Sequence, residues 1–123
     1  MDNDPLTEKI IGAAIEVHRH LGPGLLESAY EECLCQELSR QSVAFNRQVA
    51  LPIIYKGAKV EPGFRVDMIV EEKVLLELKA IEKILPIHEA QVLTYLKLSG
   101  VGIGLLLNFN AMPLKNGIKR FVV

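Results

Sequence analysis

The chain predicts an α/β fold, an α+β mixed sheet with helices on its faces, folded as one domain over residues 1–123. Three observations carry this. Apolar residues recur at helical spacing from Leu6 to Arg40. From Ala44 to Ala80 the pattern changes to β-rich runs separated by turn residues. A further helical stretch then leads into Val101–Phe109, which is nearly all apolar, as a strand covered on both faces has to be. With 50% apolar and 24% charged residues, the chain can bury one core and is not a disordered segment.

The elements follow in order. Leu6–Leu21 carries apolar residues at 6, 10, 11, 14, 15, 17 and 21, a helical stripe. Leu21-Gly22-Pro23-Gly24 ends it, since glycine tolerates positive φ and proline cannot continue a helix. A second helix runs from Leu25 to Arg40 with Leu25, Leu26, Ala29, Tyr30, Cys33, Leu34 and Leu38 on its inner side. Phe45–Tyr55 reads as a strand that Pro52 places at an edge or a bulge. After the turn Lys56-Gly57-Ala58, Lys59–Val70 and Lys73–Ala80 form a hairpin. Pro86 opens a helix over Ile87–Leu98 that Gly100 closes. Val101–Phe109 and Ile118–Val123 are the last strands. The order is α-α-β-β-β-α-β-β.

Composition bounds the function. A net charge of −1 gives no global attraction for a polyanion, so phosphate binding has to come from local basic patches or a metal. The start, Met1-Asp2-Asn3-Asp4-Pro5, is acidic and is not read as a signal peptide. The apolar run Val101–Leu107 is too short to span a bilayer, so no membrane is expected. Cys33 and Cys35, two apart on a helix, point to different sides and are expected as reduced thiols in a cytoplasmic protein.

The chemistry concentrates in the hairpin. A turn at Glu71–Lys73 that pairs Val70 with Val74 places Asp67 opposite Glu77. Side chains alternate along a strand, so Glu77 and Lys79 share a face. Two carboxylates and an ammonium then converge on a strand that is otherwise Val-Leu-Leu-x-Leu-x. A carboxylate there is costly unless it is paired or holds a metal. Mg²⁺ takes one or two carboxylates, carbonyls, waters and substrate phosphate. Asp67, Glu77 and the Leu78 carbonyl supply the protein's share, and Lys79 orients or helps to deprotonate an attacking water. A cross-strand Lys–carboxylate salt bridge on a solvated face accounts for the spacing equally well.

Two further clusters stand near it in sequence. His88, Gln91 and Tyr95, at i, i+3 and i+7, form a polar stripe on one helical face. That stripe suits a solvated surface at least as well as a site. Glu27, Tyr30 and Glu31 share a face of the second helix. Glu27 in the first turn complements the helix dipole, and Tyr30 fits core packing. His18 and His20 are taken as structural or surface residues.

Gly24-x-x-Glu27-x-x-Tyr30, preceded by Ile15-Glu16-Val17-His18 and Leu21-Gly22-Pro23-Gly24, resembles the GxxExxY proteins, a prokaryotic family of the PD-(D/E)xK nuclease superfamily. The resemblance spans Leu6 to Val122. It implies a restriction-endonuclease-like αβββαβ core with an extra N-terminal helix. It implies that Asp67, Glu77 and Lys79 are the catalytic acids and lysine, with Glu27 as the helix acid. Gln91-x-x-x-Tyr95 looks like a motif that positions DNA, and His88 and Tyr30 are assigned to substrate binding beside it. Gly63-Phe64-Arg65-Val66 lacks the proline of the superfamily's name. The implied activity is Mg²⁺- or Mn²⁺-dependent hydrolysis of DNA. The small size and neutral charge favour the alternative, a catalytically silent binding or regulatory module; a chain of this size has little surface for gripping duplex DNA unless it forms a homodimer.

Overall fold

The computed structural model describes residues 4–123; Met1–Asn3, the acidic start, lie outside the described residues. Helix α1 (Pro5–Leu21) begins one residue before the periodicity, because Pro5 suits a first turn and Asp4 caps it. The Asp4 carboxylate accepts from the Thr7 N–H at 2.9 Å and from the Thr7 hydroxyl at 2.7 Å. Helix α2 spans Glu27–Arg40. It starts later than its apolar pattern suggests. The Leu25 N–H is taken by the Tyr30 hydroxyl, and Leu25 and Leu26 are exposed, not on the inner side.

Five strands follow the expected order: β1 (Phe45–Tyr55), β2 (Ala58–Val70), β3 (Val74–Lys79), then α3 (Pro86–Ser99), β4 (Ile103–Asn108) and β5 (Ile118–Val122). They form one sheet in the order β1-β2-β3-β4-β5. Only β3–β4 is parallel, as a strand–helix–strand crossover through α3 requires. The sheet is thus mixed, with β1 at an edge and β4 inside. The register of β1 shifts between Leu51 and Ile53, at Pro52.

The two faces carry separate cores. Ile10, Ala14, Val17, Leu34 and Leu38 of α1 and α2 pack on Met68, Val70, Val74, Leu76 and Leu105. Val92, Tyr95 and Leu96 of α3 pack on Leu51, Val66, Ile69, Leu75 and Leu106. Gly104 lets α3 sit close: a Cβ there would stand 3.0 Å from Val92 and 3.1 Å from Leu96. Among the described residues no helix is long and apolar enough to cross a membrane. Cys33 and Cys35 are free thiols, and burial pushes that of Cys35 up to about 11.

Candidate active site

The β2–β3 hairpin has the expected register. Val70, Ile69 and Met68 pair with Val74, Leu75 and Leu76. The next pair in that register is Asp67 and Glu77, and there the ladder opens. Side chains replace the missing backbone bonds. The Asp67 N–H donates to Glu77 Oε1 at 3.0 Å, and the Leu78 N–H donates to Asp67 Oδ2 at 2.8 Å. Beyond this fork β2 pairs only with β1.

The fork exposes one edge of β3. The Lys79 carbonyl accepts from the Phe109 N–H on the β4 side. Backbone groups alternate sides along a strand, so the polar groups of Leu78 and Ala80 point toward the edge β2 has left. The Leu78 N–H reaches Asp67, and the Ala80 N–H reaches Glu27 Oε2 at 3.2 Å. The Leu78 carbonyl lies between them on the same edge. Glu27, 53 residues away in sequence, is thereby brought to the end of β3.

The electrostatics are those of crowded acids. Glu77 is only 6% exposed. Burial pushes its carboxyl up to about 7; the Asp67 charge adds to this, while the Asp67 N–H and Lys79 oppose it. Burial also raises the Asp67 carboxyl, helped by Glu31 and Glu27 and opposed by the Leu78 N–H and Lys79. Among the described residues Lys79 makes no ion pair within 4.0 Å. Its half-buried ammonium acts on both acids without being locked to either. Each carboxylate keeps one oxygen outside these bonds. Two desolvated carboxylates and a carbonyl at one open edge fit a hard divalent cation completed by waters or phosphate. They are not a ready-made cage: among the described residues no three His, Cys, Asp or Glu side chains form one.

The other expected residues divide. Tyr95 lies near the acids and is buried against Phe64, with ring centroids 5.3 Å apart. Burial raises its hydroxyl, and the charges of Glu77 and Asp67 raise it further. Gln91 lies half-buried one turn earlier on the same helix. His88 is used locally, its Nδ1 accepting from the Leu85 N–H at 2.9 Å at the start of α3. Tyr30 is enclosed in the core. It is 0% exposed and stacked on Phe109 at 4.5 Å. Its hydroxyl donates to the Gly22 carbonyl at 2.6 Å and accepts from the Leu25 N–H at 3.1 Å. Tyr30 therefore clamps the Gly-Pro-Gly loop ahead of Glu27, a packing role its helical spacing already favoured.

Two further clusters support the site. Gln48, opposite Asp67 in the register, takes φ +50° although it is not glycine. Phe45 and Met68 pack toward α1 and α2, whereas Val49 and Val66 pack toward α3, so the ribbon switches faces at the Gln48–Asp67 step. Buried Glu31 holds that step, accepting from Gln48 Nε2 at 3.0 Å and from Arg47 Nε at 3.0 Å. Arg65 Nη1 donates to the Gln48 carbonyl at 2.8 Å. At the far end, Asn108 clamps Ile81 through both backbone groups, and Asn110 accepts from the Gly24 N–H. No local signal marks any of these, because each partner is distant in the chain.

A family model described as the PD-(D/E)XK nuclease superfamily matches residues 4–121. No curated protein and no solved structure matches the chain. The match runs through α1, the fork and α3 to β5, over an architecture of that type with an acid–acid–lysine cluster at the point where two strands part. On that span the chain belongs to the PD-(D/E)XK nuclease superfamily.

Proposed function

We propose that this chain is a nuclease that hydrolyses DNA with Mg²⁺ or Mn²⁺, of the GxxExxY type, and that Asp67, Glu77 and Lys79 carry the reaction. What supports the reading is the fork. A sheet that gives up backbone pairing to place two mutually repelling, desolvated carboxylates beside an unpaired lysine has arranged an unfavourable cluster that a cation would relieve. Asp67, Glu77 and the Leu78 carbonyl would hold the cation. When bound, it supplies positive charge that polarises the scissile phosphorus–oxygen bond. Lys79 orients the attacking water or helps to deprotonate it. Glu27 faces the same edge and sets the local charge. Tyr95, whose hydroxyl senses both acids, and Gln91, one turn earlier on α3, position the substrate.

The test pairs a metal titration with cleavage of a DNA panel by wild type and Asp67→Ala side by side. Wild type is stabilised by the metal and cleaves; Asp67→Ala does neither while remaining folded. Cleavage that survives both Asp67→Ala and Lys79→Ala in pure protein would sink the reading.

A further inference from the structure

The fork has a second consequence. Residues Ala58–Val66 of β2 pair with β1 alone. Leu51, Phe64 and Val66 still pack on α3, and beyond them β1 and β2 run on as a free two-stranded ribbon. Gly63 is built into this ribbon: a Cβ there would run into the Leu51 carbonyl oxygen. The strands thus approach closely beside the register shift at Pro52. The tip is exposed and amphipathic. Ile54 and Tyr55 are 54% and 63% exposed, and Lys56 lies over the Tyr55 ring at 5.5 Å. A bare pair of strands is only marginally stable, and large exposed apolar side chains on one call for a partner. The partner's sign can be read: the ribbon tip carries Lys56 and Lys59 against a single acid, Glu61, in a chain that is net negative. Lys59 meets Glu61 at 3.4 Å with both side chains exposed, a pair that a phosphate can displace.

We propose that this ribbon is the duplex grip of the site, lying in the major groove of B-form DNA with Lys56 and Lys59 on phosphates and Tyr55 at its leading end. The inference rests on the nuclease reading and deepens it by choosing the substrate. A B-form major groove admits a two-stranded ribbon, whereas the A-form groove of duplex RNA is too narrow and deep. At ~3.3 Å per residue the free arm from Gly63 to Ala58 reaches about 17 Å, the length of roughly five base pairs.

The test separates grip from chemistry by measuring binding on a silenced Asp67→Asn chain. The probes are a labelled DNA duplex, its single strand and a matched RNA duplex, across a salt series. Lys56→Gln with Lys59→Gln weakens DNA duplex binding at least about fivefold and reduces the slope of log affinity against log salt by about 2. Tyr55→Ala weakens it without changing the slope. Thermal midpoints of all variants stay with the parent. Equal affinity for the RNA duplex or the single strand overturns the assignment. So does DNA affinity that ignores the three substitutions, including the case where Ile54→Ser with Tyr55→Ser instead dissolves a dimer of this chain. Ribbon-dependent binding without wild-type cleavage would defeat the active-site reading and leave the grip standing; cleavage with ribbon-independent binding would do the reverse.

Discussion

The two halves of the β2–β3 hairpin use the same strands for opposite ends. In the inner half, Met68, Ile69 and Val70 face Leu76, Leu75 and Val74, all buried, and the backbone closes its own hydrogen bonds. One step further, Asp67 and Glu77 keep the register but not the ladder, and each carboxylate satisfies a backbone N–H of the other strand. The inner half stabilises and does no chemistry. The outer half holds like charges together at a cost in stability. A site built this way has its precision supplied by the strand pairing immediately behind it.

Substitutions in the two halves should therefore separate activity from stability. The largest effect is expected from Lys79→Ala, which removes the free ammonium of the outer half. Cleavage falls by about 10²–10⁴-fold, the range for losing a group that handles a proton, while the urea midpoint stays near wild type. Leu76→Ala, in the inner half, does the converse. It empties a fully buried position and costs about 3 kcal/mol, yet cleavage per folded molecule is retained. If Lys79→Ala unfolded the chain, or Leu76→Ala abolished cleavage by protein still folded, the halves would not be separable.

Proton linkage sharpens the contrast next. Folded Glu77 stays protonated up to about pH 7, while unfolded Glu77 ionises near 4.5. Between these values the folded state binds more protons, so stability falls as pH rises through the window. The raised Asp67 carboxyl adds in the same direction. The loss has a ceiling of about 3 kcal/mol for Glu77. Urea midpoints in chelator should drop between about pH 5 and about pH 8. Millimolar Mg²⁺ or Mn²⁺ should restore the upper end, and Glu77→Gln should flatten the curve. A midpoint that rises with pH in chelator would mean the acids are not desolvated as the fork implies.

How much of this the sequence disclosed depends on the reach of each cause. The hairpin register was legible because a turn and apolar alternation are local: once Val70 meets Val74, Asp67 has to meet Glu77. That the ladder opens there was not legible, since carboxylates substituting for strand bonds leave no pattern. Nor does anything in Asn46-Arg47-Gln48-Val49 announce a left-handed residue. Gln48 takes that conformation in the grip of Glu31 and Arg65, each 17 residues away. Tyr30 shows the converse error. The motif suggested substrate binding, but helical spacing alone pointed to the core, where it lies. Leu25 and Leu26 fit the apolar periodicity of α2, but the Tyr30 hydroxyl, which periodicity cannot see, holds Leu25 outside it.

The smallest effect tests whether Glu27 belongs with the outer half or only ties it down. Its carboxylate accepts from the Ala80 N–H and also raises the carboxyls of Asp67 and Glu77 through its charge. Glu27→Gln keeps an acceptor for Ala80 and deletes the charge. Glu27→Ala removes both, and loss of the hydrogen bond costs about 1 kcal/mol or less at this exposed position. If Glu27 serves the site through its charge, the Gln variant melts with wild type but binds Mg²⁺ a few-fold more weakly, and its stability in chelator falls less steeply with pH. If Glu27 is only a tether, the Gln variant matches wild type in all three measurements and the Ala variant alone shifts. The relevant difference is then between Gln and Ala, and it assigns Glu27 to chemistry or to architecture without reference to any motif.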